Sequence, residues 1–121
     1  MKLTNQEIYS YAMALNEAFA DNTQRLPMKV NFYLQKNKKT LIELGQDIEA
    51  SRMDIIHAYG KSEDGVHYEI TKEDLPIAQK ELEELISLEQ DVNIYMISAD
   101  SLTNDVSLTT EQMEAMLFMI E

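Results

Sequence analysis

The feature that most constrains this chain is a long stretch of helical pattern with almost no interruption. From Pro27 to Tyr59 there is no further proline and a single glycine, Gly45. Val30, Leu34, Leu41, Leu44, Ile48 and Ile55 recur there, with Asn37 and Ser51 filling the gaps in alternating steps of four and three. That period puts successive side chains on one helix face. Phe32, Tyr33, Met53, Ile56 and Tyr59 widen the stripe. Pro27 suits a first helical turn, where its missing N–H costs nothing, and Gly60 matches a left-handed helix terminator. An unbroken helix of this extent measures roughly 48 Å, whereas a compact chain of 121 residues has a radius of gyration of about 14 Å. The pattern therefore predicts a mainly α fold over residues 1–121. Its expected architecture is an elongated antiparallel helical hairpin built on one long central helix, with short extended segments and a short C-terminal helix. Gly45 costs roughly 1 kcal/mol against alanine in a helix interior. Close approach of another helix is its expected reason, with a hinge as the alternative.

The flanking segments carry their own signals. Thr4 and Glu7 have the spacing of a capping box, with Leu3 and Ile8 placed as a hydrophobic staple. The helix they open is expected over residues 5–20, with Ile8, Tyr11, Ala12, Leu15 and Phe19 on one face, and the Asp21-Asn22-Thr23 turn ends it. Asp64-Gly65 reads as a turn, and the alternation of Val66, Tyr68 and Ile70 predicts a short strand or extended connector. Thr71 is placed to cap a third helix, with Glu73, Asp74 and Pro76 in its first turn. Leu75, Ala78, Leu82, Leu85 and Ile86 form its expected buried stripe. Val92–Ile97 is expected to be extended, and a second capping box, Thr109 with Gln112, opens the last helix. Folding back on the long helix, the first helix is expected over residues 28–43 and the third over residues 41–59. Leu15 and Phe19 then fall near Val30 and Leu34, and Leu75 and Ala78 near Ile55 and Ile56.

Charge divides the chain unevenly. Residues 1–42 hold six bases and three acids, a net +3, while residues 43–121 hold four bases and nineteen acids, a net −15. The overall −12 repels nucleic acid and anionic lipid at long range, so neither is an expected partner. No apolar run reaches the roughly 18 residues of a membrane span. The opening MKLTNQEIYS has no signal-peptide core, and a cytosolic protein is expected.

Chemistry-bearing motifs are sparse. There is no cysteine, and the two histidines, His57 and His67, fall in no metal-ligand spacing, so no cofactor, metal or catalytic set is expected. Asp100, Asn104 and Asp105 share a polar segment but lack the spacing and glycine of a calcium loop. Two features point to protein contact instead. Lys36, Lys38 and Lys39 sit in a stretch from Arg25 to Lys39 without a single acid. The chain also finishes on Met116, Leu117, Phe118, Met119 and Ile120, an apolar run too wide around a helix for one-sided packing. These eight residues form the expected interaction surface, and the terminal run is expected to drive a symmetric homo-oligomer.

The run LPMKVNFYLQKNKKTLIELGQDIEASRMDIIHAYG, the acidic ITKEDLPIAQKELEELISLEQDVNI and the closing DVSLTTEQMEAMLFMIE together resemble an uncharacterised family of small tailed-phage and prophage proteins of low-GC Gram-positive bacteria. The shared pattern is a leucine-proline opening a long basic helix, a tyrosine-glycine ending it, an acidic helix, an extended stretch and a short terminal helix. It covers roughly residues 26–121. The resemblance implies expression in the cytoplasm of an infected or lysogenic bacterium, with a place in the virion as a further option, and it supplies no catalytic residues. A non-enzymatic assembly or accessory factor acting through a protein partner is the expected function. The alternative is an acidic, DNA-mimic-like inhibitor of a host nuclease or defence protein, resting on the −15 of residues 43–121.

Overall fold

The computed structural model describes residues 1–20, 25–102 and 107–121. The Asp21-Asn22-Thr23 turn and the residues Asn104 and Asp105 lie outside that set. Strand β1 (Lys2–Thr4) leads directly into helix α1 (Asn5–Ala18). The capping box is formed: the Thr4 hydroxyl accepts from the Glu7 N–H at 3.1 Å, and the Thr4 N–H donates to the Glu7 carboxylate at 3.0 Å. Helix α2 (Met28–Tyr59) runs 32 residues without a break, with Pro27 as its N-cap residue. Gly45 is therefore not a hinge.

The expected tight approach at Gly45 is not there either. A Cβ built on it has nothing within 4 Å, although the glycine itself is buried. Gly60 also departs from expectation. Its φ of −91° and ψ of 153° are extended rather than left-handed, because the chain passes straight from α2 into strand β2 (Gly60–Lys61). Close packing is what favours glycine here: a Cβ at residue 60 would stand 2.6 Å from the Ile56 carbonyl oxygen and 3.1 Å from Tyr68 Cβ.

β2 pairs antiparallel with β3 (Glu69–Ile70) through the turn at Gly65, whose φ is +75°. The paired strand is shorter than the alternation predicts. Asp64 Oδ1 accepts the N–H groups of both Val66 and His67 at 2.8 Å, so these donors are taken by the turn instead of a ladder. Helix α3 (Leu75–Ser87) starts four residues after Thr71. The Thr71 hydroxyl accepts from the Asp74 N–H, and a turn intervenes, leaving Glu73 and Asp74 ahead of the helix rather than in its first turn. Only Ala78 is buried on α3. Leu75 and Ile86, expected in its core stripe, are 40% and 38% exposed because the helix packs by one narrow edge.

Strand β4 (Glu89–Asp91) follows α3 and pairs antiparallel with β1, in the register Leu3 opposite Gln90. The extended segment then continues to Ile97. Helix α4 (Thr110–Met116), opened by the Thr109–Gln112 capping box, passes into a 3₁₀ turn at Leu117–Met119. Ile97 and Ile120 form a parallel bridge, with the Ile97 N–H donating to the Met119 carbonyl and the Glu121 N–H to the Ile97 carbonyl, both at 2.8 Å.

Three buried amides join these pieces. Asn5 donates to the Leu85 carbonyl at 2.8 Å and accepts from Gln90 at 2.7 Å, fixing the end of α3 to the start of α1. Gln112 donates to the Ala18 carbonyl at 3.2 Å, tying α4 to the end of α1. Asn37, at the middle of a core stripe and wholly buried, donates to the Tyr95 carbonyl at 2.9 Å and accepts from the Tyr95 N–H at 2.8 Å. It treats the extended segment as a neighbouring strand would. Leaving those backbone groups dry and unpaired would be costly.

These links displace α1 from its expected place. Asn5, Gln6 and Tyr9 lie against Ile48, Glu49 and Arg52, while Met13 and Asn16 lie against Ile42 and Gln46. α1 is thus antiparallel to α2 and covers its centre. The N-terminal part of α2 is covered by the Tyr95 segment and the chain end, which occupy the room the first helix was expected to fill. One core unites Ile8, Leu15, Phe19, Val30, Leu34 and Leu41 with Val92, Ile97, Met116 and Met119.

Candidate interaction surface

The core stripe of α2 fixes what its opposite face presents. With Val30, Leu34, Asn37 and Leu41 turned inward, the helical period turns Met28, Phe32, Lys36 and Lys39 outward. Met28 is 83% exposed and Phe32 53%, large apolar side chains held in water. Lys36 Nζ lies 5.4 Å from the Phe32 ring centroid, and Lys29 Nζ lies 5.5 Å from that of Tyr33. Such contacts contribute about 0.5–1 kcal/mol at exposed sites and keep the ammonium groups beside the rings. Tyr33 in turn rests on Tyr95, centroids 5.1 Å apart. Asn37 fixes the Tyr95 backbone, so the aromatic strip is braced from beneath.

Among the described residues the ion pairs are Lys2–Glu89 and Arg52–Glu49, and a protonated His67 would add one with Asp64. None involves the strip, so Lys29, Lys36 and Lys39 keep their charge open to an outside partner. Lys36 and Lys39 are exposed as expected, while Lys38 is half-buried on the flank. Lys36 and Lys39 thus share a face with Phe32, and Lys38 does not.

The terminal run is different. Met116 and Met119 are fully buried in the chain's own core. Phe118 stacks on Tyr11 with centroids 4.5 Å apart and planes 7° from parallel, and Ile120 is half-buried in the bridge to Ile97. Only Leu117, 59% exposed, faces water. The run does need cover on several sides, but α1, α2 and the Ile97 segment supply it within one chain. An intermolecular surface built on Met116 and Met119 is ruled out by their burial.

Two further features were not read from the sequence. An open groove of about 340 Å³ runs between α1 and α2, lined in part by Ala12, Ile42 and Gly45. It adjoins a second of about 260 Å³ that reaches Ile86 of α3. At their junction Glu49 and Arg52 form a paired hydrogen bond, 2.9 and 2.6 Å, which lowers the carboxyl pKa and raises that of the guanidinium. The second feature is the hairpin turn. His67 Nδ1 lies 2.8 Å from Asp64 Oδ2, and this contact, with the N–H donors of His67 and Val66 and the Ser62 hydroxyl, holds Asp64 well below the usual carboxylate range. His57 meets Tyr68 in a tilted ring contact, centroids 4.5 Å apart. Among the described residues no group of three His, Cys, Asp or Glu side chains is placed to hold a metal ion. Comparison with protein-family models, curated proteins and solved structures finds no match.

Proposed function

We propose that this chain is a non-enzymatic phage or prophage protein that acts by protein–protein contact, as an assembly or accessory factor in the infected or lysogenic bacterium or in the virion. The observation that supports it is the outer face of α2 from Met28 to Lys39, where apolar and aromatic side chains stand in water beside lysines that have no ion-pair partner among the described residues. Exposed apolar patches rimmed by charge mark contact sites. The chemistry suits an acidic protein surface with apolar residues of its own. A phosphate backbone suits it less, because the −15 carried by residues 43–121 opposes the approach of a polyanion. Among the described residues no helix is long and apolar enough to cross a membrane.

The alternative, an acidic DNA-mimic-like inhibitor, draws on the exposed carboxylates Glu83, Glu84 and Glu89. The two readings use different faces. Affinity capture from phage-infected or prophage-induced cells separates them, using the intact chain, Phe32→Ser/Lys36→Gln and Glu83→Gln/Glu84→Gln. Loss of the captured partner in the α2 variant alone supports the assembly reading. Loss in the α3 variant alone, with a host nuclease or defence protein captured by the intact chain, replaces it with the inhibitor reading.

A further inference from the structure

We propose that the partner of the α2 strip is the α3 face of a second copy of this chain, so that copies join head to tail. The inference rests on the protein-contact reading above and names the occupant of that same surface. On α3, Ile77, Glu81, Glu84 and Leu88 recur in steps of four, three and four, placing them on one stripe that Leu88 continues at the C-cap. Ile77 is 50% and Leu88 58% exposed, and Glu84 between them is exposed. Lys80, also exposed, flanks the stripe, and Glu83 points away from it. The α2 strip is the counterpart: Met28 and Phe32 are apolar, and Lys29, Lys36 and Lys39 are basic. Met28 to Lys39 and Ile77 to Leu88 each advance eleven residues, about 16 Å of helix. Each stripe therefore carries two large apolar side chains and charge of the opposite sign. The apolar pair lies one turn apart on α2 and at the two ends of the stripe on α3.

The two stripes do not meet within one chain. α3 packs on the other half of α2, where Ile86 lies near Ile48 and Arg52. Two different, complementary faces on one molecule make a heterologous contact, which propagates into a ring or an open chain rather than closing as a two-fold dimer. With several charge pairs at its centre, the contact weakens as salt rises. This mode replaces the symmetric association expected from the terminal run, whose methionines are buried.

Sedimentation velocity over a concentration series tests it with two variants changed only at exposed positions. Phe32→Ser/Lys36→Gln removes the α2 face, and Ile77→Ser/Glu84→Gln removes the α3 face. Circular dichroism establishes that both keep the helical content of the parent. The expected result is that the intact chain grows beyond a dimer with concentration, less so at high salt, and that each variant alone stays monomeric. An equimolar mixture of the two forms a dimer and stops there, because each member retains the face the other lacks. An intact chain that stays monomeric to millimolar concentration overturns the inference. So does a mixture that shows no dimer. Either failure leaves the wider reading standing if the α2 variant still loses a captured phage or host protein, and both fall together if it does not.

Discussion

Asn37→Leu is the substitution that probes the architecture most sharply. Leucine keeps the branching and the number of side-chain heavy atoms, has the better helix propensity and removes both hydrogen bonds to Tyr95. The Tyr95 N–H and carbonyl, now paired at 2.8 and 2.9 Å, are left facing an apolar side chain. Each buried unpaired group costs roughly 1–3 kcal/mol, so the loss is about 2–6 kcal/mol. Burial of the leucine returns roughly 1.5–3 kcal/mol. The expected net destabilisation is about 2 kcal/mol, which lowers Tm by about 8 °C for a chain of this size. Urea and thermal unfolding measure the total, and hydrogen exchange at the Tyr95 amide localises it. Protection at Tyr95 should fall before that of the α2 amides. Asn31→Leu, on the exposed side of the same helix, is the control and should stay within about 0.5 kcal/mol of the parent. Equal or greater stability in Asn37→Leu, with Tyr95 still protected, refutes the role assigned to the amide.

The other expectations concern glycine, lysine and pH. Gly45→Ala should stabilise by about 1 kcal/mol, since a Cβ there meets nothing within 4 Å and only the helix-propensity gain remains. Gly60→Ala should destabilise by about 1–3 kcal/mol, because its Cβ falls 2.6 Å from a backbone oxygen that cannot swing aside; denaturant midpoints that do not move apart in these opposite directions contradict the packing described. The Lys36→Glu/Lys38→Glu/Lys39→Glu variant should lose partner binding yet stay within about 1 kcal/mol in stability, as none of these lysines is ion-paired among the described residues. A large fall in Tm with binding intact reverses that assignment. Asp64, held below its ordinary range, stabilises the turn fully above the unfolded value of about 3.9 and loses that contribution as pH falls through the lower folded value. An NMR titration should find its midpoint below the ordinary aspartate value of about 3.9, and a midpoint at that value removes the Asp64 network.

The legible part of this fold is its local part. Pro27, the unbroken stripe and the two capping boxes act within a few residues, and α2, the start of α1 and the start of α4 stand where these signals place them. The parts that were missed depend on distant partners. β1 pairs with β4 across some eighty-seven residues, and nothing near Lys2–Thr4 announces it. The same local pattern that suggests a staple at Leu3 also feeds a strand. Gly60 carries a terminator signal, but pairing with Ile70 in the β2–β3 ladder holds it extended. For the candidate surface, the lysines are readable from the absence of acids around them and Phe32 from its place beside the main stripe, whereas nothing in the pattern singles out Met28. The sequence does contain one overlooked clue: Asn37 stands at a core position of an otherwise apolar stripe, and a buried amide there requires a partner. The terminal MLFMI run was correctly read as needing cover on several sides. Its cover comes from within because α1, α2 and the Ile97 bridge meet at the same point.

The decisive measurement is site-specific photo-crosslinking in producing cells, with a benzophenone side chain placed at position 32 or at position 117. Both sites are more than half exposed, Phe32 at 53% and Leu117 at 59%, so accessibility alone does not favour either. A protein adduct formed at position 32 and absent at position 117 is the expected result. Adducts at position 117 with none at position 32 would contradict the assignment of the working surface to the outer face of α2.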